Sequence, residues 1–332
     1  MRSGFGRQAS SIRISSNESL ITNYRFPLTL EVSMHNHPLA GVYAAAITPL
    51  NDDGTPDLPG MARYLAFLAG RGCHGALLLG TTGEGPSFSP EERANIWEAA
   101  TDVHREFPEF RLMAGTGTPS LTETKDLNRV AFDLGFEAVV VLPPYYYRNA
   151  SEEGLFAWFA DVIEHSVPGD RMLLGYHIPA VSGVGLSLNL LQRLGEAFPN
   201  RFGGLKDSSG DLDHAKTLAA GLKNRAVLVG NDKLIGPALV GGASGGITAL
   251  ANLESPTLRA IYDAHLAGED TTALQAALDA KRAVMDAHPP ATAFLKAMSH
   301  ELHGLPRWGL RPPLRAFSAE ETRTARAAWD AA

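Results

Sequence analysis

The sequence predicts a (β/α)8 TIM barrel with a C-terminal helical extension, and three observations lead there. Apolar, β-prone runs recur between residues 41 and 250, each continuous rather than alternating, as parallel strands buried on both faces read. Longer segments with helical starts and stops separate them, about one βα unit per run. No glycine-rich dinucleotide turn follows the first run, which disfavours an open doubly wound sheet. A length of 332 residues would otherwise suggest two domains, but α/β barrels of about 250 residues are single domains.

The runs are YAAAITPL (43–50), GALLLG (75–80), RLMAGTG (111–117), AVVVLPP (138–144), MLLGYHIP (172–179), FGGLKDS (202–208), AVLVGND (226–232) and GGITAL (245–250). Between the second and third, SPEERANIWEAATDVHREF (89–107) opens on a Ser-Pro-Glu-Glu helix start. SLTETKDLNRVAFDLG (120–135) ends on Gly135 as a helix stop. Beyond residue 255 the pattern turns helical and stays so. The expected organisation is a flexible N-terminal extension (1–38), a catalytic barrel (39–254) and a helical appendage of the same domain (255–332).

Composition narrows the function. The chain is 45% hydrophobic and 20% charged with mean hydropathy close to zero, the profile of a soluble globular protein. Net charge is −7 without a dense basic run, so neither nucleic acid nor an anionic membrane is expected as a partner. No stretch approaches the ~20 apolar residues of a membrane helix. Cys73 has no cysteine to pair with and no ligand-spaced companions for zinc; it reads as a small buried apolar residue. His35, His37 and His74 also lack companions at ligand spacing, so no metal is expected. The N-terminal segment is Ser/Arg-rich with no acid before Glu18. A cytoplasmic location is expected, although this start also fits an organellar transit peptide, and Met34 is a second potential start.

In a barrel, active-site groups stand where strands end, on the face built by the βα loops. The unusual polar residues fall there: Thr81, Thr82 and Glu84 after the second run, Tyr145 to Tyr147 after the fourth, Tyr176 in the fifth and Lys206 in the sixth. Tyr146, Tyr176 and Lys206 are separated by equal steps of 30 positions, one βα unit each, so neighbouring strands should aim them at one mouth. Alone, Lys206 reads as a solvated loop lysine, Tyr176 as core and GTTGE (80–84) as a turn. Together they suit imine chemistry. Burial favours the neutral, nucleophilic form of an amine, a phenol can carry protons, and a Gly-Thr loop can turn N–H and hydroxyl groups onto a carboxylate. GASGG (242–246) offers two further readings, a nucleophilic Ser244 or a phosphate site between the last two strands. The second keeps a sugar-phosphate enzyme open as a rival. A catalytically retired barrel, acting as a regulator or binding protein, is a third reading.

GTTGE, PPYYYR, YHIPAVSG, GLKDSSG and GGITALAN occur in this order at barrel-strand spacing. The set resembles the dihydrodipicolinate synthase/N-acetylneuraminate lyase family of pyruvate-using Schiff-base enzymes, from about Gly41 to RPPL at 311–314. The resemblance implies a lyase that condenses pyruvate with an aldehyde, or cleaves a 2-oxo acid to pyruvate, with no cofactor. Lys206 would form the imine, Tyr176 would relay protons, and Thr81 and Thr82 would grip the pyruvate carboxylate, Thr81 joining the relay. Tyr146 would reach into a neighbouring chain's site, Gly230 and Ile247 would line the pocket by their backbone, and the assembly would be a homotetramer.

One position departs from the pattern. Synthase-type members carry an arginine in the loop after the Tyr-x-x-Pro segment, aimed at a substrate carboxylate; here Val181 stands there. An apolar side chain cannot make that contact. Lys233 likewise stands where the sialic-acid lyases have an acid. The 4-hydroxy-tetrahydrodipicolinate synthase of lysine biosynthesis stays as the alternative within the family, and the aldehyde partner is left open.

Overall fold

The computed structural model describes residues 37–332; the expectations placed on residues 1–36, His35 and Met34 among them, lie outside the described residues. Eight parallel strands close into a barrel in sequence order: β1 (Gly41–Ala45), β2 (Gly75–Leu78), β3 (Arg111–Gly115), β4 (Ala138–Val141), β5 (Met172–His177), β6 (Phe202–Asp207), β7 (Ala226–Val229) and β8 (Gly245–Thr248). Each overlaps one of the eight apolar runs. All but the first begin where the run begins and end a few residues sooner, because the trailing residues of each run form the mouth loops.

Around the barrel lie α1 (Leu58–Gly70), α2 (Pro90–Thr101), α3 (Leu121–Asp133), α4 (Glu152–Ser166), a short α5 (Pro179–Ser182), α6 (Leu188–Ala197), α7 (Leu212–Gly221), α8 (Ile235–Val240) and α9 (Ala251–Leu266). The expected start of α2 is realised as a capping box: Ser89 accepts from the Glu92 N–H, and the Glu92 carboxylate accepts from the Ser89 N–H. Beyond α9 come α10 (Thr272–Ala287), α11 (Ala291–His303) and α12 (Ala319–Ala331). Among the described residues, no helix is long and apolar enough to cross a membrane.

Strand alternation sorts the apolar side chains into two cores. Tyr43, Leu77, Met113, Val140, Leu174, Leu228 and Ile247 fill the barrel interior. Val42, Leu78, Leu112, Val139, Leu173, Leu205 and Val227 pack outward against the helices. Strand β6 breaks the alternation once. Phe202 and Leu205 both belong to the outer core, although they are three residues apart, and the β5–β6 register shifts between Leu173 and Leu174. This bulge inserts one residue and changes which face the rest of the strand presents. It needs its glycine: Gly204 has φ +131, and a Cβ there would stand 2.0 Å from the Ala226 carbonyl oxygen. The Gly-Gly pair thus turns Lys206 inward, where uninterrupted alternation from Phe202 would have sent it out.

Candidate active site

Lys206 and Tyr176 are register partners on adjacent strands, one residue short of each strand's C-terminal end. Lys206 is 3% exposed and Tyr176 4%. The Lys206 Nζ lies 4.3 Å from the centre of the Tyr176 ring, over its face. The Tyr176 hydroxyl is 3.3 Å from Thr81 Oγ1. Burial pushes the Tyr176 phenol up, but the Lys206 charge and hydrogen bonds from Thr81, Lys206 and Ser208 outweigh it and leave the phenol below its ordinary value. An amine, a phenol made more acidic and a hydroxyl therefore form one chain at the barrel mouth, enough for imine formation with proton transfer.

The loop after β2 carries Thr81 and Thr82 and is held from behind. Thr48 Oγ1 donates to the Gly83 carbonyl at 2.6 Å, and Thr292 Oγ1 of α11 donates to the Thr82 carbonyl at 3.3 Å. Glu84, at φ +57 in the left-handed region, turns its carboxylate into the protein, where Lys296 Nζ donates to it at 2.6 Å and the Arg311 N–H at 3.1 Å. Neither member of the ion pair is more than 2% exposed.

The loop after β7 is held similarly. Gly230 follows β7, and its N–H donates to the Asp207 carbonyl at 2.6 Å. Asp232, fully buried, accepts from Arg282 of α10 at 2.9 Å and from the Leu250 N–H at 3.1 Å. Ile247 of β8 belongs to the same interior core as Tyr176. Asn252, which ends GGITALAN, ties the start of α9 to the end of β1: it donates to the Ala45 carbonyl and accepts from the Ile47 N–H.

The β4 and β5 loops are different. Tyr146 is 76% exposed and meets Tyr147 edge-to-face. The equal spacing brings together two of its three residues, because Tyr146 lies five residues beyond the end of β4. Val181, in α5, is 60% exposed. Arg148 runs back across the end of that helix: a Cβ on Gly183 would stand 2.8 Å from its Cδ and 2.9 Å from its Nε.

Other sequence expectations are settled by position. GASGG runs from the end of α8 into the first two residues of β8 and so lies at the N-terminal end of that strand, the face opposite Lys206. There Ser244 is fully buried and its N–H donates to Val227. A Cβ on Gly245 would stand 1.9 Å from the Gly41 carbonyl oxygen, so this glycine serves close strand packing. Both the nucleophile and the phosphate readings of this segment are thereby corrected. Cys73 is buried, and burial pushes its thiol up to about 12. A surface groove of about 720 Å³, lined by Lys216, Val240, Gln275 and their neighbours, contains none of the expected site residues.

One cluster was missed in the sequence. His177 and Asp207, the residues after Tyr176 and Lys206, face outward and meet His214 of α7, with potential ligand atoms within 4.8 Å of one another. His177 Nδ1 accepts the Leu186 N–H at 3.0 Å, which leaves its ring proton on Nε2 and makes that atom a donor rather than a ligand. The two rings stack at 4.8 Å, and Asp207 accepts from both the N–H and the hydroxyl of Ser209. This is a hydrogen-bonded cluster behind the site.

The profile of the dihydrodipicolinate synthetase family matches residues 38–332. The chain belongs to that family. An uncharacterised DapA-like lyase of Chloroflexus aurantiacus is 41% identical over 293 residues, 87% of this chain and 96% of the relative. A 4-hydroxy-tetrahydrodipicolinate synthase of Corynebacterium urealyticum is 37% identical over 239 residues, 71% of this chain and 76% of the relative. Among solved structures, the dihydrodipicolinate synthase of Agrobacterium tumefaciens superposes with a TM-score of 0.79 at 31% identity, covering 88% of this chain and 98% of that one. A sialic acid aldolase of Ruminococcus gnavus shares the fold, with a TM-score of 0.81 at 21% identity, covering 88% and 95%. Membership in the dihydrodipicolinate synthetase family makes the protein a lyase of the Schiff-base, pyruvate-using type.

Proposed function

We propose that Lys206 forms the imine with pyruvate and that the enzyme joins this unit to, or releases it from, an aldehyde that carries no carboxylate beside Val181. The observation that carries this reading is the chain from Lys206 to Tyr176 to Thr81. In the cleavage direction the Lys206 amine adds to the C2 carbonyl of a 4-hydroxy-2-oxo acid and water leaves, giving an iminium. The Tyr176–Thr81 pair takes the proton of the 4-hydroxyl; the C3–C4 bond then breaks, its electrons enter the iminium as an enamine, and the aldehyde departs. Protonation of C3 and hydrolysis return pyruvate and the free amine. Condensation is the same sequence reversed.

In this reading Thr81 and Thr82 hold the pyruvate carboxylate, and Gly230 and Ile247 line the pocket by their backbone. Tyr146 acts at a neighbouring chain's site in a cytoplasmic homotetramer, a role supported by two large exposed aromatics side by side at the mouth. The test is pyruvate release from a panel of 2-oxo-3-deoxy sugar acids, N-acetylneuraminate and 4-hydroxy-2-oxoglutarate, set beside condensation of pyruvate with aspartate semialdehyde. One member of the cleavage panel should exceed the condensation in kcat/KM. Condensation faster than every cleavage would return the enzyme to the synthase reading.

A further inference from the structure

The loop that carries Thr81 and Thr82 is not held by the barrel alone. Helix α11 reaches it twice from one face. Thr292 and Lys296 stand four residues apart, one turn along the helix; the first donates to the Thr82 carbonyl and the second to the Glu84 carboxylate. The second oxygen of that carboxylate is taken by the Arg311 N–H, and Lys296 also donates to the Gly309 carbonyl at 2.6 Å. The loop closes on itself as well, the Glu84 N–H donating to the Thr81 carbonyl at 3.2 Å.

Stability is a poor reason for this arrangement. A buried ion pair is often no more stable than apolar residues of the same volume. A non-glycine residue in the left-handed region adds a cost of its own. What the pair does accomplish is geometric, because it fixes the direction in which the chain leaves Thr82.

We propose that Lys296 is a positioning residue: acting through Glu84, it sets the pose of Thr81 and Thr82, and thereby the affinity for pyruvate. This rests on the reading of those threonines as the carboxylate grip. The helical extension is then part of the active site's construction, although none of its side chains touches substrate.

The experiment measures borohydride trapping of pyruvate against pyruvate concentration in the full-length protein, alongside thermal unfolding. Lys296→Met alone strands a buried carboxylate, so the informative variant is Lys296→Met with Glu84→Gln, which leaves no unpaired charge. Thr292→Val removes a single hydroxyl and serves as the milder variant. The double variant should stay folded, and its half-saturating pyruvate concentration should rise by about 10- to 100-fold, the scale of one or two lost hydrogen bonds. Trapping at saturating pyruvate should fall by less than about threefold, and Thr292→Val should move half-saturation in the same direction by a smaller factor. A role confined to stability would lower the melting temperature and leave half-saturation within twofold of wild type in both variants, which overturns the proposal. If the double variant does not fold, Thr292→Val decides alone by the same criterion. No adduct in the wild type would instead refute the pyruvate reading, and this inference with it.

Discussion

The two sides of the barrel mouth are built on different principles. On the β2 and β7 side, the loops after these two strands are tied to the C-terminal helices through buried carboxylates: Glu84 to Lys296, and Asp232 to Arg282. On the β4 and β5 side, the loops present Tyr146, Tyr147 and Val181 to solvent. The contrast suits a division of labour. The tied side would hold pyruvate, the unit common to the family's chemistry, in one pose. The open side would meet the variable partner and, in an oligomer, the neighbouring chain. Exposed loops tolerate substitution at little cost to stability, whereas a change in the tied side disturbs paired, desolvated groups.

The largest effect should come from the hydroxyl at the junction of the two sides. Tyr176→Phe keeps the ring under Lys206 and removes only the hydroxyl, with its hydrogen bonds to Thr81, Lys206 and Ser208. The expected loss is about 10²–10⁴-fold in kcat, the usual range for a general acid–base group, with KM little changed. A loss below about fivefold would separate Tyr176 from the chemistry.

A smaller but more selective effect belongs to the open side. Val181→Arg adds a guanidinium where an exposed valine now stands, and should raise condensation with aspartate semialdehyde relative to cleavage of the best 2-oxo acid by at least about tenfold. If Arg148, already lying across the end of α5, supplies that charge, Val181→Arg will not help and Arg148→Ala will lower kcat/KM for carboxylated partners. Comparing the two variants shows which side chain reads the partner.

The smallest effect concerns the ties themselves. Hydrogen bonds from Arg311, against a lesser opposing cost of burial, pull the Glu92 carboxyl from an ordinary 4.5 down to about 2. Its folded value lies below its unfolded one, so the contribution is complete above the ordinary carboxylate range and is lost as pH falls from there towards about 2. After solvent screening it is worth about 1 kcal/mol. Denaturant unfolding at about pH 5 and about pH 3 should therefore show wild type losing more stability than Arg311→Met, by about half that amount, the rest going below about pH 3. Equal losses would mean the pair contributes nothing measurable.

Much of this was legible in the sequence because buried parallel strands leave continuous apolar runs, and the runs' starts mark seven of the eight strands. Lys206 and Tyr176 could be found because strand-end polar residues one βα unit apart must be neighbours. Tyr146 obeys the same spacing, yet a loop had already carried it away from the strand. The bulge that turns Lys206 inward shows only as Gly203-Gly204, a pair that also reads as an ordinary turn. Lys296 left no local signal: it sits 212 positions from Glu84, in a helix where a lysine reads as solvated. GASGG misled because a glycine run looks the same before a strand as after one, while only the latter lies on the active face.

Everything on the tied side depends on Lys206 being the amine that captures pyruvate. The direct measurement is borohydride reduction of the enzyme in the presence of pyruvate, followed by peptide mass spectrometry. One reduced pyruvyl group per chain should appear on the peptide containing Lys206, with activity lost in proportion, and Lys206→Ala should remain folded and take up none. An adduct on Lys216, Lys223 or Lys233, or no adduct at all, would contradict the assignment of the site.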